Sequence, residues 1–165
     1  MKQFHISEVQ PEMMDVVEEF PKIFREPSDS VRYWIEKEET PKEDVVNLRF
    51  GFEHDLGWKE IVRGFCSEMQ TLCDEAAENG WYFQYKACIM KEKFGQFRPQ
   101  GDYESDDHMP REVAREYLDR AYEIESKWEN ESYNVCELTG KTGKLYSKGW
   151  MKTLCEEKAK EMNYI

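Results

Sequence analysis

Residues 57–99 read GWKEIVRGFCSEMQTLCDEAAENGWYFQYKACIMKEKFGQFRP, and within them the hydrophobic period changes from helical to extended. Ile61, Phe65, Met69, Leu72 and Ala76 recur at steps of three and four, which lays one apolar stripe along a helix from Trp58 to Asn79. Val62 and Cys73 widen that stripe, and Asn79-Gly80 supplies a left-handed stop. The next ten residues alternate: Trp81, Phe83, Tyr85, Ala87 and Ile89 on one face, Tyr82, Gln84, Lys86, Cys88 and Met90 on the other. That is the period of a strand. KEKFGQFR then turns the chain with Gly95 as pivot and Phe94 and Phe97 facing the core, and Pro99 predicts a short return strand. A helix, a strand and a hairpin in this order point to an α+β fold.

Downstream, residues 100–109 read as an acidic loop. Pro110 opens a second helix to about Glu129, striped by Val113, Tyr117, Ala121, Ile124 and Trp128. Upstream, Val46, Leu48, Phe50 and Phe52 alternate as a strand over 45–53. Pro11 opens a short helix through Met13, Val16, Val17 and Phe20, and a further one is expected from Val31 to Glu39. The expected organisation is a helical arm or cap (1–45), an α+β core (46–132) and a C-terminal unit (133–165) ending in a helix from about Thr153 to Met162. In the core, two main amphipathic helices lie on a small antiparallel sheet.

A length of 165 residues suits a single domain, and 5 Trp, 9 Phe and 9 Tyr furnish a core despite a charged fraction of 35%. The net charge of −12 is uneven, because residues 136–165 carry six lysines against four acids. An acidic surface is repelled by phosphate backbones, so no direct nucleic-acid contact is expected, whereas a basic partner is attracted. No apolar run reaches a membrane-spanning length and the N-terminus has no charged-then-apolar leader pattern, so a cytoplasmic protein without membrane contact is expected. Five cysteines, an odd number without ladder spacing, read as reduced thiols. The sequence does not fix an oligomeric state.

CELTGKTGKLYSKGWMKTLCEEKA, from Cys136 to Ala159, has the outline of a zinc knuckle. Structural zinc takes four ligands, commonly from two Cys-x2-Cys or Cys-x2-His pairs. Here Thr139 and Lys158 occupy the second position of each pair, leaving Cys136 and Cys155 as weak metal candidates. No bound metal is expected. Gly140, Gly143 and Gly149 supply turns, and Leu145, Trp150 and Leu154 are expected to replace the metal with a small apolar cluster. Lys91, Lys93 and Arg98 of the hairpin make a cationic edge. Trp150 and Lys152 extend the binding candidates, and Lys141, Lys144, Lys148 and Tyr146 complete a basic strip suited to base stacking. His5, His54 and His108 stand far apart. The two acid–histidine clusters, Glu53-His54-Asp55 and Asp106-Asp107-His108, are expected to be exposed loops, and no catalytic constellation is expected.

GWKEIVRGFC from Gly57, MKEKFGQFRP from Met90, CELTGKTGK from Cys136 and GWMKTLCEEKA from Gly149 together resemble a family of small proteins of unassigned chemistry in phages and bacterial prophages. The likeness covers about residues 57–160. It implies a zinc site at positions 136, 139, 155 and 158, from which Thr139 and Lys158 depart. The expected role is an acidic phage-type binding protein that contacts a host protein, such as a basic nucleic-acid-binding enzyme, and inhibits a defence or nucleic-acid function. The alternatives are a degenerate zinc-knuckle nucleic-acid adaptor and a small metal-dependent hydrolase.

Overall fold

The computed structural model describes residues 6–37 and 42–165. His5 and the end of the expected helix over 31–39 lie outside the described residues. The chain forms an α+β fold in which helices surround a small mixed sheet. α1 (Met14–Glu19), α2 (Pro21–Phe24) and α3 (Asp29–Lys37) come first. β1 (Phe52–Glu53), α4 (Lys59–Glu78), β2 (Phe83–Lys93), β3 (Gln96–Ser105) and α5 (Arg111–Glu131) build the centre. β4 (Lys144–Lys148), β5 (Trp150–Leu154) and α6 (Glu156–Glu161) close the chain.

The central sheet has the order β1-β2-β3, antiparallel between β2 and β3 but parallel between β1 and β2. It is therefore mixed, not purely antiparallel. The expected strand over 45–53 shrinks to two residues: Val46, Leu48 and Phe52 are buried, but Phe50 is exposed. The Gln10 side chain takes the place of a longer strand partner. Its amide donates to the Phe52 carbonyl, and its oxygen accepts the Phe52 N–H at 3.2 Å.

β3 is longer than expected and absorbs residues 100–105 of the expected acidic loop. Pro99 is tolerated because β3 is the outer strand of the sheet, where a missing N–H breaks no inner ladder. A bulge at Cys88 separates the pairs Ala87–Gly101 and Ile89–Gln100. The extra residue reverses the alternation, so Met90 is buried in place of Ile89. The five residues Phe83–Ala87 are all buried, which means that both faces of β2 are covered.

The large cluster of buried side chains joins Met13, Val17 and Phe24 to Phe65 and Met69 of α4 and to Tyr85 and Phe97 of the sheet. Phe65 meets Tyr85 edge-on at 5.5 Å, and Phe83 stacks on Tyr103 at 5.7 Å. Such ring pairs add about 0.5–1.5 kcal/mol each beyond area burial. Cys66 and Cys73 are buried in this cluster, where burial pushes the Cys73 thiol up to about 11. α4 crosses α5 where Gly64 faces the Trp128 ring.

Candidate functional site

The β2–β3 turn consists of two residues with positive φ, Phe94 at 54° and Gly95 at 78°. Two positive φ values suit the right-handed twist of a tight hairpin. The Glu92 carboxylate braces the turn by accepting the Gly95 N–H at 2.8 Å. This geometry turns Phe94 out to 61% exposure while Phe97 stays buried, so only one of the two phenylalanines enters the core. Lys93 Nζ stands 5.7 Å from the centre of the Phe94 ring.

The C-terminal unit brings a second hairpin to the same place. β4 and β5 reverse at Gly149 (φ 79°), with Lys148 opposite Trp150. Thr153 fastens this ribbon to the first turn by donating its hydroxyl to the Gly95 carbonyl at 2.6 Å. Between the tips lies a cleft of about 460 Å³, lined by Lys91, Lys93, Phe94, Trp150 and Met151. Trp150 is 71% exposed. Three of the five sequence-predicted binding residues, Lys91, Lys93 and Trp150, thus converge although some sixty positions separate them in the chain. Phe94 and Met151 were not predicted. The signal for Phe94 was the Phe-Gly dipeptide at a hairpin tip, where the aromatic has no interior to reach.

Arg98 and Lys152 stand elsewhere. Arg98 pairs across the ladder with Lys91, and its Nε donates to Gln96 Oε1 at 2.5 Å. Lys152 reaches Glu137 Oε2 at 3.0 Å, in an ion pair whose carboxylate is almost fully buried. Burial pushes the Glu137 carboxyl up against the opposing pull of Lys152. Burial works to lower the Lys152 ammonium, but the hydrogen bond and charge of Glu137 outweigh it and the net shift is upward. Glu137 also accepts the Asp55 N–H at 3.2 Å.

The rest of the basic strip is similarly engaged: Lys141 with Glu157, Lys148 with the Asn163 carbonyl, and Lys144 over the Tyr146 ring. Tyr146 packs on Tyr164 instead of offering a free face for a base.

The expected C-terminal helix from Thr153 starts only at Glu156, because residues 144–154 form the ribbon. Its small core consists of Cys136, Leu154, Cys155 and Ala159, flanked by Leu138, Tyr146 and Tyr164. Leu145 and Trp150 are exposed and do not contribute as expected. Around Cys136, burial raises the thiol, but the Thr139 hydroxyl and the N–H groups of Cys155, Thr139 and Leu138 outweigh it and lower it overall. Thr139 Oγ1 also lies 3.6 Å from Cys155 Sγ, and Lys158 turns to Glu161 at 2.7 Å. Two thiols, a hydroxyl and an ammonium do not form a zinc ligand set. Among the described residues, no three His, Cys, Asp or Glu side chains gather as a metal site.

His54 is not an exposed loop residue. Its ring lies among Phe52, Trp58 and Phe97 with centroids 5.7–5.9 Å away. Nδ1 donates to the Asp55 carbonyl at 2.8 Å, and Nε2 is buried with no partner among the described residues. Burial holds the imidazole below its usual range. His108 is exposed, as expected.

No family model, curated protein or solved structure matches the chain. Among the described residues, no helix is long and apolar enough to cross a membrane.

Proposed function

We propose that this chain is a phage-type binding protein that grips a host protein through the cleft between its two hairpin tips. The observation that carries the reading is the exposure of Phe94 and Trp150 on two turns locked together by the Thr153–Gly95 bond. Large aromatics held rigidly on a surface lose little entropy when a partner covers them, and tryptophan is enriched among residues that dominate binding energy. Lys91 and Lys93 edge the cleft, while the outer face of α5 exposes Glu112, Glu116, Asp119 and Glu123. The aromatic cleft anchors the partner, and the acidic helix favours a partner with a basic surface, such as an enzyme that handles nucleic acid. Inhibition of that enzyme is the functional consequence. The four-motif resemblance to phage and prophage proteins supports a host protein as the target.

The same resemblance supports reading the C-terminal unit as a zinc-knuckle scaffold whose metal has given way to the core around Cys136 and Leu154. Capture from bacterial lysate at low salt, run in parallel with the wild type and with F94A/W150A, tests the proposal. A saturable partner retained by the wild type and lost by the variant is the expected result. Failure to retain any partner, or equal retention by both, overturns the reading.

A further inference from the structure

The N-terminal helices and the sheet enclose a second cavity of about 410 Å³, on residues unrelated to the hairpin tips. Its distinguishing feature is Lys86 on β2, whose side chain is only 3% exposed. A buried ammonium needs a counter-charge. The contact it makes is to Glu26 Oε2 at 3.3 Å, long for a charge-assisted bond, and Glu26 is itself 60% exposed. A three-donor group deep in the cavity is therefore neutralised by a carboxylate standing at the mouth.

Two guanidinium groups share that mouth. Arg25 is held by Glu18 at 2.6 Å and by the Glu43 carbonyl; Arg32 meets Asp29 at 3.5 Å and is half exposed. Three cations thus face one cavity in a chain of net charge −12. Ile35, Val45 and Pro27 give it an apolar wall, and Tyr82 contributes a ring 44% exposed. Of the other lining acids, Glu104 accepts the Tyr82 hydroxyl at 3.2 Å and the Asp29 N–H at 3.3 Å, while Glu36 lies exposed at the rim.

From this juxtaposition we infer that the cavity is a binding site for a small organic anion: an oxyanion, carboxylate or phosphate monoester, carried on a flat apolar body. The oxyanion replaces Glu26 on Lys86 and is flanked by Arg32. The flat body lies between the Tyr82 ring and the Ile35–Val45 wall. The volume falls in the range of small-molecule sites. Glu26 acts as a built-in competitor that swings out when the ligand enters, which its exposure permits.

This mechanism fixes the signs of two substitutions. K86M preserves the volume of the side chain and removes the buried charge, and the carboxylate left behind, Glu26, is 60% exposed and can turn to water, so no buried charge is stranded. It weakens binding about tenfold or more, the worth of a charge-assisted hydrogen bond. E26Q removes the competitor and tightens binding. Calorimetric titration of the full chain with indole-3-acetate and with adenosine monophosphate distinguishes the two oxyanions, with indole and adenosine as uncharged controls. Circular dichroism confirms that the variants are folded, and Y82A and R32A provide surface alternatives if K86M is not. Saturable binding of either anion, weakened by K86M (or, if that variant is unfolded, by R32A and Y82A) and strengthened by E26Q, is expected. Absence of binding by both anions, equal binding of the uncharged controls, or weakening by E26Q overturns the inference. None of these outcomes depends on the hairpin-tip cleft, so the two proposals fail separately.

Discussion

Replacing Gly64 by alanine sets two effects of opposite sign against each other. In an exposed helix the change stabilises, because glycine costs about 1 kcal/mol relative to alanine in a helix interior. At Gly64 an added Cβ would stand 2.6 Å from Cζ2 and Cζ3 of Trp128 and closer still to Cη2. Carbon atoms in contact prefer about 3.5–4.0 Å, so the indole has to retreat by roughly 1 Å or more. It is not free to do so, because its Nε1–H donates to Glu68 Oε2 at 3.1 Å and Lys127 Nζ lies 5.2 Å from the ring centre. Overpacking of this kind costs about 1–3 kcal/mol, and loss of the indole hydrogen bond adds about 1 kcal/mol. Packing therefore wins, and G64A is destabilising by about 1–3 kcal/mol net. For a chain of this length that lowers Tm by about 2–12 °C. Urea and thermal unfolding followed by circular dichroism measure the change. The companion variant W128L vacates the space, and in that background G64A is stabilising by up to about 1 kcal/mol. A G64A protein more stable than the wild type would refute the reasoning, as would the same loss in both backgrounds.

Removing Lys152 strands the Glu137 carboxylate, so K152A lowers unfolding free energy by about 3 kcal/mol, whereas the double variant K152M/E137Q recovers most of it in urea titrations. Glu125 is pushed up to about 7 by burial, partly opposed by Tyr103. A carboxyl raised on folding holds a proton that the unfolded chain has already lost, so its contribution declines as pH rises from about 4.5 to about 7. E125Q therefore gains about 1–2 kcal/mol at pH 8, allowing for solvent screening of a partly exposed group, and little at pH 4; a flat difference across that range would contradict the assignment. The double change T139C/K158H restores a two-pair ligand set, and purified protein is expected to take up one zinc by atomic absorption, with Tm rising on metal addition. Absence of uptake would sink the scaffold reading.

The two long helices and β2 were legible because each presents a single clean period. Ile61 to Ala76 and Val113 to Trp128 keep helical steps, and Phe83 to Ala87 alternate before the bulge. At Cys88 one inserted residue reverses the phase, which no periodicity argument detects. Pro99 misled because its effect depends on whether β3 lies inside the sheet or at its border, a tertiary fact. The β4–β5 ribbon escaped notice because most of its β4 side chains are exposed, so no buried face imposes an alternation. For the candidate cleft, residue types at each tip were readable, but their convergence depends on long-range contacts such as the Thr153 hydroxyl meeting a carbonyl 58 positions earlier. The Lys86 cavity was invisible, since an isolated lysine in a strand reads as solvated until helices cover it.

Gly57 lies so close to the Cys136 and Glu137 carbonyls that any side chain there would collide with them. Nearby, the Trp58 indole donates to the Val135 carbonyl at 2.8 Å and the Asp55 amide to Glu137. Cutting the chain before Tyr133 would therefore do more than remove a C-terminal appendage. It would leave a fully buried tryptophan without its hydrogen-bond acceptor and lay open the aromatic box around His54. A shortened fragment, however soluble it looked by its charge, would expose this seam to other copies of itself and invite aggregation.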